Sequence, residues 1–404
     1  MAILTSGSAR EGATDALLST IYLWGAHLSQ EECEPQLVGT ALRSVSGALG
    51  EYSGGISIFH LIQAEILLSN YLFLNSRILE GRYHMTKALS LATGARLHTI
   101  RSTETSSISR SSLAPPALAA IDEAEGIHAF WSVVILNNCW TSADRSPSNL
   151  VYTDEPGLRI DVPWPENMDV YIRNGIPPNL GGSYTVQRFL AGIDDGPHSL
   201  TALHAKASIL LDRSTHIGSA HWNYTRSRSP EAQKSNIQFL SLGSSIQRLA
   251  QQIAHLNSQC ESNSRPNPKL GTISMLLDAA SIRLHENFAN QQIQSRELVT
   301  SSARNIVRVV GTLASARRER STNSVVIDPI IAPLAMLALQ SLVEERRRAS
   351  PGSSSSSHAF NESEVSRDEM QKLMNAMCIL SSCCPLMKSR AAEVHRILAT
   401  LGIS

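Results

Sequence analysis

The densest group of soft metal donors in the chain is Cys378, Cys383 and Cys384, close to the C-terminal end. A closed zinc site needs four converging donors, usually set as C-x2-C pairs or beside histidines, and adjacent cysteines at a helix end do not supply that geometry. These thiols read instead as small hydrophobes packed beside a methionine stripe, Met370, Met374 and Met377. Cys33, Cys139 and Cys260 are scattered, which fits a reducing compartment. Phosphate cradles, zinc proteases and activated serines leave the local signatures G-x-x-x-x-G-K-[ST], H-E-x-x-H, G-x-S-x-G and S-x-x-K, and none occurs. A triad drawn from distant segments leaves no such spacing, so the 13 histidines name no site by themselves. His84, His98 and His128 read as satisfied residues within helices or at their ends. No catalytic residue, metal ligand or enzymatic activity is expected.

Charge narrows the partners. Lys plus Arg and Asp plus Glu both number 35, so no basic field exists to hold a nucleic-acid backbone, and direct DNA binding by this chain is not expected. The basic runs Arg317-Arg318-Glu319-Arg320 and Arg346-Arg347-Arg348 each close a helical pattern, where cations complement the negative end of the helix dipole. Met1 to Arg10 lacks a secretory pattern, so the sequons at Asn223 and Asn361 are expected to go unused. The longest apolar run, Ile330 to Leu339, is about half of what a bilayer span needs, and no membrane association is expected.

The elements that would position side chains are helices. Leu270, Ile273, Leu277, Leu284 and Phe288 share one stripe, as do Ala303, Ile306, Val307, Val310 and Leu313, and Ile246, Leu249, Ile253 and Leu256. Two apolar segments, 57–75 and 82–97, predict an αα-hairpin broken at Glu80-Gly81. A Ser/Thr-rich loop over 99–112 leads through Pro115-Pro116 to a helix over about 117–142. Prolines 147, 156, 163, 165, 177 and 178, with Gly181-Gly182, predict an extended segment over about 147–182 before helices resume near Ser199. Ser229-Pro230-Glu231 and Ser366-x-x-Glu369 read as helix starts, and Pro385 as the close of the helix that carries the methionine stripe. The resulting fold class is all-α, an irregular multi-helix bundle with one extended proline-rich segment.

Two stretches carry a resemblance. Tyr83 to His98 ends in Ala95-Arg96-Leu97-His98, and Glu123 to Trp131 leads through Phe130-Trp131 and Asn137-Asn138-Cys139-Trp140 to Ser146-Pro147-Ser148 and Ile160-Asp161-Val162-Pro163-Trp164-Pro165. In this order and spacing they resemble the fungal-specific transcription factor domain, the regulatory middle region of fungal zinc-cluster transcription factors. The recognisable core is about 57–165. The landmark residues Leu97, His98, Phe130, Trp131, Trp140, Pro147, Pro163, Trp164 and Pro165 are expected to be structural. Trp131 and Trp140, nine residues apart, lie on opposite sides of one helix, which must then be covered on more than one face. Pro163-Trp164-Pro165 fixes an extended backbone that presents an indole to a helix layer.

The resemblance implies a nuclear protein that regulates RNA polymerase II transcription through a small-molecule effector or a coregulator protein, and it allows a homodimer. The serine run Ser350 to Ser357, a low-complexity break, gives the rest of the layout: a helical regulatory domain resembling the family over 1–345, a Ser-rich linker over 346–366 and C-terminal helices over 367–404. The family's six-cysteine zinc cluster is not in this chain, so no cofactor is expected here and zinc would belong only to such an N-terminal cluster. The family carries arginines where Glu123 to Gly126 stand, and often an aspartate at Asn137 or Asn138, so a salt bridge there is expected to be lost. A helical adaptor that binds peptides in the groove of its hairpin is the alternative.

Overall fold

A computed structural model describes residues 14–48, 58–103, 120–155, 157–193, 196–224, 230–261, 267–319, 327–349 and 357–402. Among them the chain is all-α, with helices α1 (Asp15–Ser29), α2 (Glu34–Gly47), α3 (Ile58–Leu74), α4 (Ile78–Gly94), α5 (Ala120–Asp144), α6 (Met168–Asn174) and α7 (Thr185–Leu190). They are followed by α8 (Leu200–Tyr224), α9 (Pro230–Glu261), α10 (Pro268–His285), α11 (Ile293–Glu319), α12 (Ile331–Ala349), α13 (Ser357–Leu380) and α14 (Pro385–Thr400). The described residues contain no strand, only a parallel bridge between Ser102 and Gly182. None of their helices is long and apolar enough to cross a membrane.

The chain divides into two compact units. The first comprises residues 1–137, 149–187 and 195–202, and the second 138–148, 188–194 and 203–404. This differs from a single body over 1–345 with a separate tail: α13 starts inside the expected linker, and it packs on α11 and α12 within the second unit. The serines 350–356, the loop and prolines of 104–119, and Ser229 lie outside the described residues.

In the first unit α1 packs on α2 and α3, and α3 on α4. The side chain of Thr14 caps α1 by accepting from the Leu17 amide at 3.4 Å. The expected αα-hairpin is α3–α4, but its turn is Asn75 to Arg77, where Ser76 takes a left-handed φ of 62°. Glu80 and Gly81 are inside α4. Gly81 serves packing rather than turning, because a Cβ there would stand 2.7 Å from the Phe73 ring across the hairpin. The carbonyl of Gly81 also accepts from Ser69 Oγ at 2.7 Å.

Within 147–182 one helix intervenes, α6, because residues 166–176 are free of proline. Helix formation then resumes at Thr185, earlier than expected.

In the second unit α10, α11, α12 and α13 pack on one another, and their stripes are buried at Leu270, Ile273, Leu277, Ala303, Ile306 and Val310. Pro333 sits in the first turn of α12, where its missing N–H costs nothing. Ser366 lies in the interior of α13 and is not a cap, and Pro385 opens α14 instead of closing α13. The cap of α14 is Cys384, whose buried sulfur accepts from the Met387 amide at 3.4 Å. Burial pushes this thiol up to about 11, so it stays protonated. Cys33 and Cys378 are exposed, contrary to the reading that Cys378 packs with its neighbours.

Candidate functional site: a tryptophan and proline clasp

Apolar residues surround α5 on every side, and a helix of that pattern must be buried all round. From Ile127 to Ser142 its side chains are almost continuously buried. Trp131 and Phe130 are 0% exposed, and their rings meet edge-on with centroids 5.5 Å apart.

The extended segment after α5 closes on this helix. Arg159 to Pro165 are all buried. Trp164 stacks on Trp131, with centroids 4.3 Å apart and planes 22° from parallel, and Trp131 Nε1 donates to the Pro163 carbonyl at 2.8 Å. A proline at 163 has no N–H to satisfy, so its carbonyl is the polar group that this stretch must pair, and the indole pairs it. The Pro165 carbonyl accepts from Ser199 Oγ at 2.6 Å. Gly196 lies against Trp164, where a Cβ would come within 2.3 Å of the ring.

The upstream end of the strap is anchored by His98, whose carbonyl accepts from the amides of Asp161 and Val162, both at 2.9 Å. His98 Nε2 donates to the Gly157 carbonyl at 2.9 Å. Burial lowers the pKa of this imidazole against that hydrogen bond, so it is neutral near pH 7. Leu97 is buried beside it.

Asp161 organises the centre of the strap. Arg159 Nε and Nη2 donate to its two oxygens at 2.8 and 3.0 Å, Ser102 Oγ at 2.8 Å and the Tyr184 amide at 2.8 Å. Burial opposes the charge, but these donors outweigh it and hold the carboxyl below its ordinary range. The Arg159 guanidinium also lies 3.6 Å from the centroid of the Tyr184 ring. Gly182 closes the arrangement: its amide donates to the Arg101 carbonyl at 3.0 Å and its own carbonyl accepts from the Thr103 amide at 3.2 Å. Any Cβ at 182 would overlap the Asp161 carbonyl.

The landmark residues of the first unit, Leu97, His98, Phe130, Trp131, Pro163, Trp164 and Pro165, are thus brought together. Trp140 is buried in the second unit, and Pro147, also there, is exposed after the end of α5. Asn138 Nδ2 donates to Ser208 Oγ at 3.4 Å. Where the resemblance places arginines, Glu123 supplies the opposite charge and pairs with Arg101 at 3.0 Å. Arg101 in turn donates to the carbonyls of Pro177 and Leu180 at 2.8 and 3.0 Å.

Sequence reasoning missed Arg159, Ser102 and Arg101 because their partners are distant in sequence or, for Asp161, only two residues away in a segment of no regular periodicity. It also missed a buried ion cluster in the α3–α4 hairpin. Glu65, 0% exposed, pairs with His84 Nδ1 and Lys87 Nζ, each at 2.6 Å. The signal for it was one carboxylate inside the apolar run of α3. Among the described residues no three His, Cys, Asp or Glu side chains are grouped to hold a metal ion. What the clasp does is lock a helix under a strap. Comparisons with family models, with curated proteins and with solved structures found no match.

Proposed function

We propose that the chain is the regulatory region of a fungal zinc-cluster-type transcription factor and regulates RNA polymerase II transcription in the nucleus by responding to an effector or a coregulator protein. The single observation that carries this reading is the clasp. Seven of the nine landmark residues through which the sequence resembles that family, all but Trp140 and Pro147, gather around Trp131, with Trp164 stacked on it and the Pro163 carbonyl paired to its indole. Recognition of DNA is assigned to no residue of this chain. The test fuses the chain to a heterologous DNA-binding domain and an activation domain and reads a reporter gene in fungal cells. The expected result is a change in transcription of about fivefold or more relative to the fusion without the chain, abolished by Trp131→Ala; differences of that size follow from biasing a two-state body by roughly 1 kcal/mol. Output equal to the control in all growth conditions would overturn the proposal.

One observation favours the adaptor reading: α1 and α2 have 15 and 14 residues and α3 and α4 have 17 each, so the first unit begins with two hairpins of matched helices. The later helices are unequal and the strap has no place in a regular repeat, which is why the regulatory reading is preferred.

A further inference from the structure

Within the second unit, α11 and α13 pack side by side and leave a cleft of about 680 Å³. That volume is in the range of small-molecule sites. Three features of the cleft, one of them the exposed Arg308, bear on what it could hold.

The first is Arg304, which lines the cleft half-buried, with Nε lacking an acceptor among the described residues. An N–H withdrawn from water without an acceptor costs about 1–3 kcal/mol, so such groups call for a partner.

The second is Arg308, one turn further along the same face of α11. Its Nε and Nη2 both donate to Asn305 Oδ1, at 3.1 and 2.6 Å, while Asn305 Nδ2 donates to Asp278 of α10 at 2.5 Å. Asn305 is therefore held with its carbonyl toward Arg308, and the guanidinium is positioned without being neutralised by a carboxylate in direct contact. Lys372, across the cleft on α13, differs because it is already paired with Asp368 at 2.7 Å and Glu369 at 3.4 Å.

The third is Gly311, well inside the 27-residue α11, where glycine costs about 1 kcal/mol relative to alanine. Close packing does not require it, since a Cβ there would meet nothing within 4 Å. Its missing side chain widens the cleft that it lines.

We infer that this cleft binds an amphipathic organic anion, with Arg304 and Arg308 taking the charged head and Val307, Ala376 and Ile379 lining the space for the hydrocarbon body. Arginine forks suit carboxylate and phosphate alike, so both head groups fall within the class. The inference stands on the cleft alone and holds whether or not the chain regulates transcription.

Calorimetric titration of the full chain with octanoate, octyl phosphate and octanol tests it. Saturable binding of at least one anion is expected, with octanol weaker by about tenfold or more, and the stronger anion identifies the preferred head group. The double variant R304Q/R308Q should weaken binding by about tenfold or more, whereas R346Q/R347Q, which removes equal charge from the end of α12, should leave it unchanged. Gly311→Leu enters open space, should fold with an unreduced thermal midpoint, and should block binding by filling the cleft. Absence of saturable binding by both anions, octanol binding as well as they do, or native affinity in Gly311→Leu or in a folded R304Q/R308Q would overturn the assignment.

Discussion

Replacing Trp131 by alanine removes the centre of the clasp, and the cost follows from three losses. The side chain is 0% exposed, and deleting a buried tryptophan typically costs about 3–5 kcal/mol. Its stack on Trp164 and its hydrogen bond to the Pro163 carbonyl are part of that figure, at about 0.5–1.5 kcal/mol for the ring pair and about 1–3 kcal/mol for a carbonyl left buried and unpaired. We therefore expect about 4 kcal/mol, a large share of the roughly 5–15 kcal/mol that ordinarily separates folded from unfolded. Trp131→Phe keeps a ring over Trp164 but has no N–H for Pro163, and should cost about 2 kcal/mol. Urea titration of the full chain, followed by near-ultraviolet circular dichroism of the tryptophan bands, measures both. With a slope of about 2–3 kcal/mol per molar urea, the alanine variant should lose roughly 1.3–2 M in midpoint. A double-mutant cycle with Trp164→Ala should return a coupling of about 0.5–1.5 kcal/mol. A loss below about 1 kcal/mol for Trp131→Ala, or strictly additive effects of the two substitutions, would refute the claim that the strap is locked through these rings.

Two glycines should respond in opposite directions. Gly182→Ala drives a Cβ into the Asp161 carbonyl and should destabilise by about 3 kcal/mol, while Gly311→Ala meets open space and should stabilise by about 0.5–1 kcal/mol; chemical denaturation midpoints decide both. Burial pushes the carboxyl of Asp278 up to about 7, prevailing over its hydrogen bonds from Asn305 and Ser302 and the charge of Arg308. The folded state thus holds this proton more tightly than the unfolded chain does. Its contribution to stability is greatest below pH ~4 and falls, by on the order of 4 kcal/mol, as pH rises toward 7. Asp278→Asn keeps the shape and an acceptor, so it should be more stable than the native chain at pH 8 and lose that slope in thermal scans across pH. Glu65→Gln strips the charge that His84 and Lys87 face and should cost about 3–5 kcal/mol, visible as faster amide hydrogen exchange in α3 and α4.

Particular residues mark where the sequence was legible. The stripes through Ala303, Ile306 and Val310 and through Leu270, Ile273 and Leu277 predict helices because a 3.6-residue period has one physical use, and those faces are buried. The strap was legible too, since proline bars regular helix and Pro163-Trp164-Pro165 leaves an indole to be covered. Boundaries were harder to read. Gly81, Ser366 and Pro385 each carry the local chemistry of a break or a cap. Gly81 instead answers to the Phe73 ring across the hairpin, Ser366 sits inside α13, and Pro385 begins a helix rather than ending one.

By itself the sequence determined the all-α class, the burial of the Trp131 helix on more than one face and the extended course of the chain around Pro163, because each follows from local periodicity or from a dihedral that proline restricts. Tertiary structure alone decided that Asp161 collects Arg159, Ser102 and the Tyr184 amide, that Glu65 meets His84 and Lys87, and that Arg304 and Arg308 face a cleft. Those pairings join segments up to tens of residues apart, and the free energy that selects them, desolvation of a charge against the donors that replace water, exists only once the helices have packed.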